Sequence, residues 1–268
     1  MDSLLPLIRF ETLKGVSHGI STRHGGVSRA PYQSLNLGVR TDDSRECVRE
    51  NQQRFLDAVG TPRGQTIFAR LVHGREVSVF QKDDPGNGPV ERVALERGSC
   101  PPDRTFHSDG VVSDVPRLSF LLTFADCVPL LFVDRRRGAV GAAHAGWRGT
   151  ALGVGPAVIR AMQSAFGSEA RDLEVAIGPS IGPCCYTVAP EVATAFEAAA
   201  TSAVFVEDGG RSTLDLWASN EGQLIGVGVR PESISNHRIC TACATDHFFS
   251  HRAEGGVTGR FALCIGLP

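Results

Sequence analysis

Lysine is almost missing from this chain: Lys14 and Lys82 stand alone among 27 basic residues. The arginines are spread along the sequence, and 29 acidic residues bring the formal net charge to −2. No basic stripe forms, so neither nucleic acid nor an anionic membrane surface is an expected partner. Long apolar runs are missing too. None approaches the roughly 20 residues needed to cross a bilayer. The longest, Leu118 to Val133, is interrupted by Asp126 and Pro129 and reads as two buried strands. Residues 1–10 lack a basic segment followed by a long apolar run, so no secretory leader is expected and a cytoplasmic location is. There is no internal repeat and no low-complexity tract.

What is present is ordinary globular material: 268 residues, 42% hydrophobic and 21% charged. That length can bury a full core and host a deep pocket, and one domain over 1–268 is expected. The eight cysteines, at 47, 100, 127, 184, 185, 240, 243 and 264, are expected to be reduced thiols, most of them small buried hydrophobes. Ser44 to Val59 reads as a helix with Asp43 or Ser44 as cap and Gly60 as stop. Strands are expected over 67–72, 77–80, 111–112, 118–124, 128–133, 139–143, 173–177 and 258–265. Further helices are expected over 149–166, 190–200 and 214–225, with Pro156 in a first turn. Residues 19–38 read as a Gly/Ser/Asn-rich loop and 83–107 as an irregular surface excursion. Strands and helices intermingle without a βαβ rhythm, which points to an α+β fold with mixed sheets rather than a doubly wound sheet.

Two segments carry chemistry. In Thr123-Phe-Ala-Asp-Cys-Val-Pro129 an acid and a thiol sit between two apolar strands. In Ala142-Ala-His-Ala-Gly-Trp-Arg-Gly149 a strand runs into a Gly-rich turn and a helix. His144 at the strand's end is placed to face a pocket. The backbone N–H groups after Gly146 can receive an anion, and Arg148 offers a bidentate contact to phosphate or carboxylate, or a core ion pair. On spacing alone a Cys and a His this far apart are more often core residues than ligands, because no local metal signature accompanies them. Cys240-Thr-Ala-Cys243 has CxxC spacing, flanked by His237 and His247. A metal or redox role there requires a helix start after the first Cys or a second ligand pair nearby; the pair is expected to stay unmetallated. Cys184-Cys185 reads as structural. Gly178-Pro-Ser-Ile-Gly-Pro183 lacks the Lys-Ser/Thr ending of a phosphate loop. His251-Arg252 and Thr258-Gly-Arg260 line either a pocket or a solvated hairpin.

Taken in order, Ser21-Thr-Arg-His-Gly-Gly-Val-Ser28, Ser34-Leu-Asn-Leu-Gly38, Val72-His-Gly74, Ser108-Asp-Gly110, Ala125-Asp-Cys-Val-Pro129 and Ala143-His-Ala-Gly-Trp-Arg-Gly149 form a recognisable series. Ile177-Gly-Pro-Ser-Ile-Gly-Pro-Cys-Cys-Tyr186, Cys240-Thr241, Phe248-Phe-Ser-His251 and Thr258-Gly-Arg260 continue it. With these the chain resembles the YfiH family, labelled both laccase-like polyphenol oxidases and purine nucleoside phosphorylases. His251-Arg252-Ala253 departs from that family's usual Arg-Arg-Asp, and Phe261 stands where Met is common.

The resemblance implies a fold of two central mixed sheets covered by helices, related to the cytotoxic necrotizing factor architecture. It implies zinc ligands at His73, Cys127 and His144, and nucleosides and phosphate as partners. The activities implied are phosphorolysis of adenosine, inosine, guanosine and methylthioadenosine, with adenosine deamination. Three protein ligands leave a fourth position open, the pattern of catalytic zinc. Cys127, His144 and Asp126 are the catalytic candidates, with Asp126 steadying a metal ligand. Arg148, Gly146, Arg23 and Asn36 are the candidate substrate contacts. The laccase label fares poorly: the eight histidines include no His-x-His pair, and the only methionines are Met1 and Met162. Copper remains a substitute metal, because Cu2+ outcompetes Zn2+ at N/S ligands. The main alternative is an amide hydrolase editing peptidoglycan precursors, with Cys127 as nucleophile and His144 as base. A nucleoside-binding module without turnover is a third reading.

Overall fold

The computed structural model describes residues 5–82, 105–199, 201–208 and 211–268; the irregular stretch expected over 83–107 lies outside them up to residue 104. In chain order the first strands are β1 (Leu7–Ile8), β2 (Ser17–Ser21), β3 (Thr66–Ala69), β4 (Val77–Phe80), β5 (Thr105–Phe106), β6 (Gly110–Ser113) and β7 (Ser119–Phe124). They are followed by β8 (Val128–Asp134), β9 (Ala139–Ala145), β10 (Glu174–Ile177), β11 (Val204–Asp208), β12 (Arg211–Asp215), β13 (Ile234–Asn236) and β14 (Phe261–Gly266). The α-helices are α1 (Arg45–Val59), α2 (Trp147–Ala151), α3 (Val154–Phe166), α4 (Pro190–Ala198) and α5 (Leu216–Gly226).

Two six-stranded sheets result, ordered β1-β2-β14-β7-β3-β5 and β13-β10-β8-β9-β6-β4, with β11-β12 a separate hairpin. Both are mixed: β3 runs parallel to β5 and β7, β4 to β6, and β10 to β13, while the remaining pairs are antiparallel. The period of two along each strand decides which face a residue covers. Phe120, Leu122 and Phe124 of β7 and Phe261, Leu263 and Ile265 of β14 meet Leu131 and Val133 of β8 and Val140 and Ala142 of β9, forming the core between the sheets. Their alternates face outward. Leu121, Ala262 and Cys264 pack under Phe55, Leu56 and Val59 of α1. Val128, Leu130, Phe132, Ala139 and Ala143 pack under α3 and α5. The layers therefore run helix, sheet, sheet, helices, in agreement with the α+β expectation.

Helix α1 forms where its pattern requires. Ser44 Oγ accepts from the Cys47 N–H at 3.4 Å, and Gly60 ends the helix at φ 86°. The helix expected over 149–166 is broken into α2 and α3 by Gly153, whose φ is 72°. The helix expected from 214 starts at Leu216 on the Asp215 cap, whose carboxylate accepts from Ala218 N–H at 2.9 Å, because the residues before it pair in β12. Residues 19–21, expected to begin a loop, instead complete β2 because β14 pairs with it. Among the described residues no helix is long and apolar enough to cross a membrane.

Candidate metal centre

Strand register assembles the site. β8 pairs with β9 so that Val128 faces Ala145, which carries Cys127 to the level of Gly146 just beyond the strand ends. β6 pairs with β9 through Gly110 and Ala143, so Asp109 lies level with His144, whose N–H donates to the Asp109 carbonyl at 2.8 Å. His144 shares the face of Val140 and Ala142, so its ring emerges at the end of the inter-sheet core, 5.4 Å from the Phe124 ring. His73 arrives on the loop between β3 and β4 in a left-handed conformation, φ 61°, and its ring stands edge-on to His144 at 5.1 Å.

One donor atom from each of His73, Cys127 and His144 lies within 4.8 Å of the others. This chain's own features fit a cation there. A Cβ on Gly146 would stand 2.8 Å from Cys127 Sγ, so the glycine leaves the sulfur its room. Asp109, fully buried, places Oδ1 2.9 Å from His144 Nδ1. An ionised carboxylate is acceptor-only, so Nδ1 carries the proton and Nε2 keeps its lone pair for a ligand. Asp109 Oδ2 also accepts from Gly74 N–H at 2.7 Å and Val72 N–H at 3.1 Å, gripping the loop on both sides of His73. Burial acts to raise the Asp109 pKa, but these bonds from His144, Gly74 and Val72 prevail and hold it below the usual carboxylate value. Burial also disfavours imidazolium at His144; the Cys127 sulfur and the Asp109 carboxylate outweigh it and lift that pKa to about 9 in the metal-free site. Burial, then the neighbouring His144, lowers that of His73.

The other expected site residues divide. Arg148 is exposed on α2 with its guanidinium 4.2 Å from the Trp147 ring centroid, so the core ion pair considered for it does not form. Its charge reaches His73. The helix after Gly146 is only five residues long, because Gly153 interrupts it, and Gly146 leaves space beside the sulfur. The Asp126 carboxylate bonds none of the three donor side chains. Its carboxylate accepts from Thr241 Oγ1 and the Arg252 N–H, both at 2.7 Å, and the bracing role belongs to Asp109. Asn36 is fully buried: Nδ2 donates to Thr41 and Asp43 while Oδ1 accepts from Gly38 and Arg260. All its hydrogen-bonding capacity is used inside the fold. Arg23 is likewise held by the carbonyls of Gln33 and Thr245 and by Glu254, over the Phe249 ring. Asn36 is therefore closed to a substrate, while Arg23 stays partly exposed.

Asp109 lies in Ser108-Asp-Gly110, but nothing in the spacing of that motif marks it as the partner of the His144 ring and of the loop that carries His73. Nor does spacing mark Tyr186. Burial first, then the nearby Cys127, pushes its pKa up to about 12, so it stays a neutral phenol, with Arg252 5.1 Å from its ring centroid.

The fold and the site together define a class: a two-sheet α+β protein with a His-Cys-His donor set, able to hold a metal ion, at the end of its inter-sheet core. Residues 17–268 match the family described as multi-copper polyphenol oxidoreductase laccase, and the chain belongs to that family, which includes the YfiH and YlmD proteins. It is 36% identical over 256 residues to the purine nucleoside phosphorylase YlmD of Geobacillus stearothermophilus, covering 94% of this chain and 90% of that protein. It is 37% identical over 267 residues to a purine nucleoside phosphorylase of Deinococcus radiodurans, covering 98% and 94%. The crystal structure of Geobacillus stearothermophilus YlmD superposes with a TM-score of 0.86 at 33% identity, covering 100% of this chain and 98% of that one. A Bacillus licheniformis protein, YfiH, gives 0.85 at 32% identity, with the same coverage of both chains.

Proposed function

We propose that the chain is a zinc-dependent, cytoplasmic purine nucleoside phosphorylase that also deaminates adenosine. Its substrates are adenosine, inosine, guanosine and methylthioadenosine. The observation that carries the reading is the His73, Cys127 and His144 donor set braced by one buried carboxylate, in a chain whose relatives bear the name purine nucleoside phosphorylase. One thiolate and two neutral imidazoles suit zinc and leave a fourth position open. Bound there, zinc supplies a Lewis acid and a water of lowered pKa; copper would fit the same donors.

The chain's own groups supply positioning. Asp109 fixes the tautomer and direction of His144 and the loop of His73. Arg148, exposed beside the centre, offers a fork of donors to phosphate as the bond from ribose to purine breaks and a bond from ribose to phosphate oxygen forms. Tyr186 adds an uncharged phenol near enough to feel the charge of Cys127. Incubation of adenosine with and without phosphate, followed by chromatography, tests the reading. Ribose 1-phosphate and adenine should appear only with phosphate, inosine should appear in both, and Cys127→Ala should abolish all three products while remaining folded. Full activity in that variant would place the site elsewhere.

One observation favours a second reading. Cys127, His144 and Asp109 form a line of sulfur, imidazole and carboxylate, the order of nucleophile, base and orienting group. An amide hydrolase would use that line without a metal, since a zinc-bound thiolate is a poor nucleophile. Metal content with amide-substrate turnover separates the two.

A further inference from the structure

Four more sulfurs gather outside the site described above. Cys184 and Cys185 lie on the turn after β10, and Cys240 and Cys243 on the loop after β13. The two loops are joined by a parallel bridge: the Ser180 N–H donates to the Ile239 carbonyl at 3.1 Å and the Thr241 N–H to that of Ser180 at 3.0 Å. The CxxC pair alone lacks half a ligand set, and this bridge brings the other half to it. All four Sγ atoms lie within 4.8 Å of one another, with Cys243 at 3.6 Å from Cys184 and 3.3 Å from Cys185. Zinc–sulfur bonds of about 2.3 Å in a tetrahedron set sulfurs roughly 3.8 Å apart, so these separations need little adjustment.

We propose that Cys184, Cys185, Cys240 and Cys243 bind a second zinc ion as a closed, structural four-thiolate site. Binding releases the thiol protons to solvent, and no electrons are transferred. The loops are shaped for it. The Gly182 N–H donates to Cys240 Sγ at 3.3 Å. A Cβ on Gly182 would stand 2.5 Å from the Trp217 ring and 3.3 Å from the Cys240 Cβ, so only glycine lets the loops close. Arg252, donating to the carbonyls of Cys185 and Thr187, brings positive charge beside a dianionic cluster. The flanking histidines are engaged elsewhere, His237 stacked on Phe10 at 4.3 Å and His247 edge-on to His24 at 5.7 Å. This zinc would steady the first centre. The bridged loops hold Asp126 from both sides, through Ile181 N–H to its carbonyl and Thr241 Oγ1 to its carboxylate, and Asp126 precedes Cys127.

The test is metal analysis of the full chain purified without chelator. The intact chain should carry about two zinc ions, with a zinc-edge absorption shell richer in sulfur than nitrogen. The double variant His73→Ala/Cys127→Ala should keep about one, with a shell of sulfur alone at about 2.3 Å. Adding Cys240→Ser and Cys243→Ser should remove it; should that variant fail to fold, the spectrum of the intact chain decides. A double variant without zinc, a nitrogen-dominated shell in the intact chain, or an intact mass showing the four thiols oxidised to disulfides would overturn the proposal. None of these readouts depends on nucleoside turnover.

Discussion

Asp109 accepts three hydrogen bonds in full burial, one from a histidine ring and two from the loop that carries another. Asp109→Asn keeps the shape but turns an N–H donor toward one of these donors and frees His144 to place its proton on the ligating nitrogen. Zinc affinity should fall about 10–100-fold, measured by competition with a chromogenic chelator while circular dichroism stays unchanged. Unchanged affinity would reduce Asp109 to packing. His18 carries a different consequence. It is buried, its Nε2 accepts from the Phe10 N–H at 3.0 Å, and its Nδ1 lies 3.1 Å from the Val16 carbonyl. Burial first, despite that bond to Val16, lowers its pKa from 6.5, so the fold holds it neutral while the unfolded chain takes up a proton. Its contribution is complete above about pH 6.5 and is lost as pH falls through the lower folded value. The thermal midpoint should therefore drop between about pH 7 and pH 5, and drop less in His18→Gln. Equal slopes in both proteins would assign the acid sensitivity to other groups.

At the scale of elements, Gly153 separates two helices that the apolar pattern alone would join. Its φ of 72° is left-handed, and a Cβ there would meet nothing closer than Pro156 at 3.9 Å, so a side chain would pay through conformation alone. Gly153→Ala should cost about 1–2 kcal/mol, lowering the thermal midpoint by roughly 2–6 °C. Gly222→Ala, exposed within α5 with open space around it, should raise the midpoint instead. A rise in both would mean that the break after α2 is not imposed by the backbone. The same elements show what was legible in advance. The cap and stop of α1, and the apolar strands β7, β8 and β9, are local signals and were readable. The strand β2 was not, because its partner β14 lies far along the chain. The three donors were legible through resemblance, not spacing. Asp109 and the meeting of the two cysteine pairs depend on strand register and a loop-to-loop bridge, which no local pattern encodes.

At the scale of the whole molecule, the stack of two sheets between helices brings three separate chain segments to one end of the inter-sheet core. His73, Cys127 and His144 come from the β3–β4 loop, the β7–β8 turn and the end of β9, and only the folded chain places their donor atoms within 4.8 Å. Whether that convergence is a metal centre or a metal-free thiol–imidazole line divides the phosphorylase reading from the amide hydrolase. Diffraction from crystals of the intact chain, recorded above and below the zinc edge, addresses this directly. An anomalous peak is expected, bounded by Cys127 Sγ, His144 Nε2 and a ring nitrogen of His73, with its fourth position open to water or ligand. A map with no anomalous density among these three side chains, and Cys127 bonded instead to His144 as a free thiol, would contradict it.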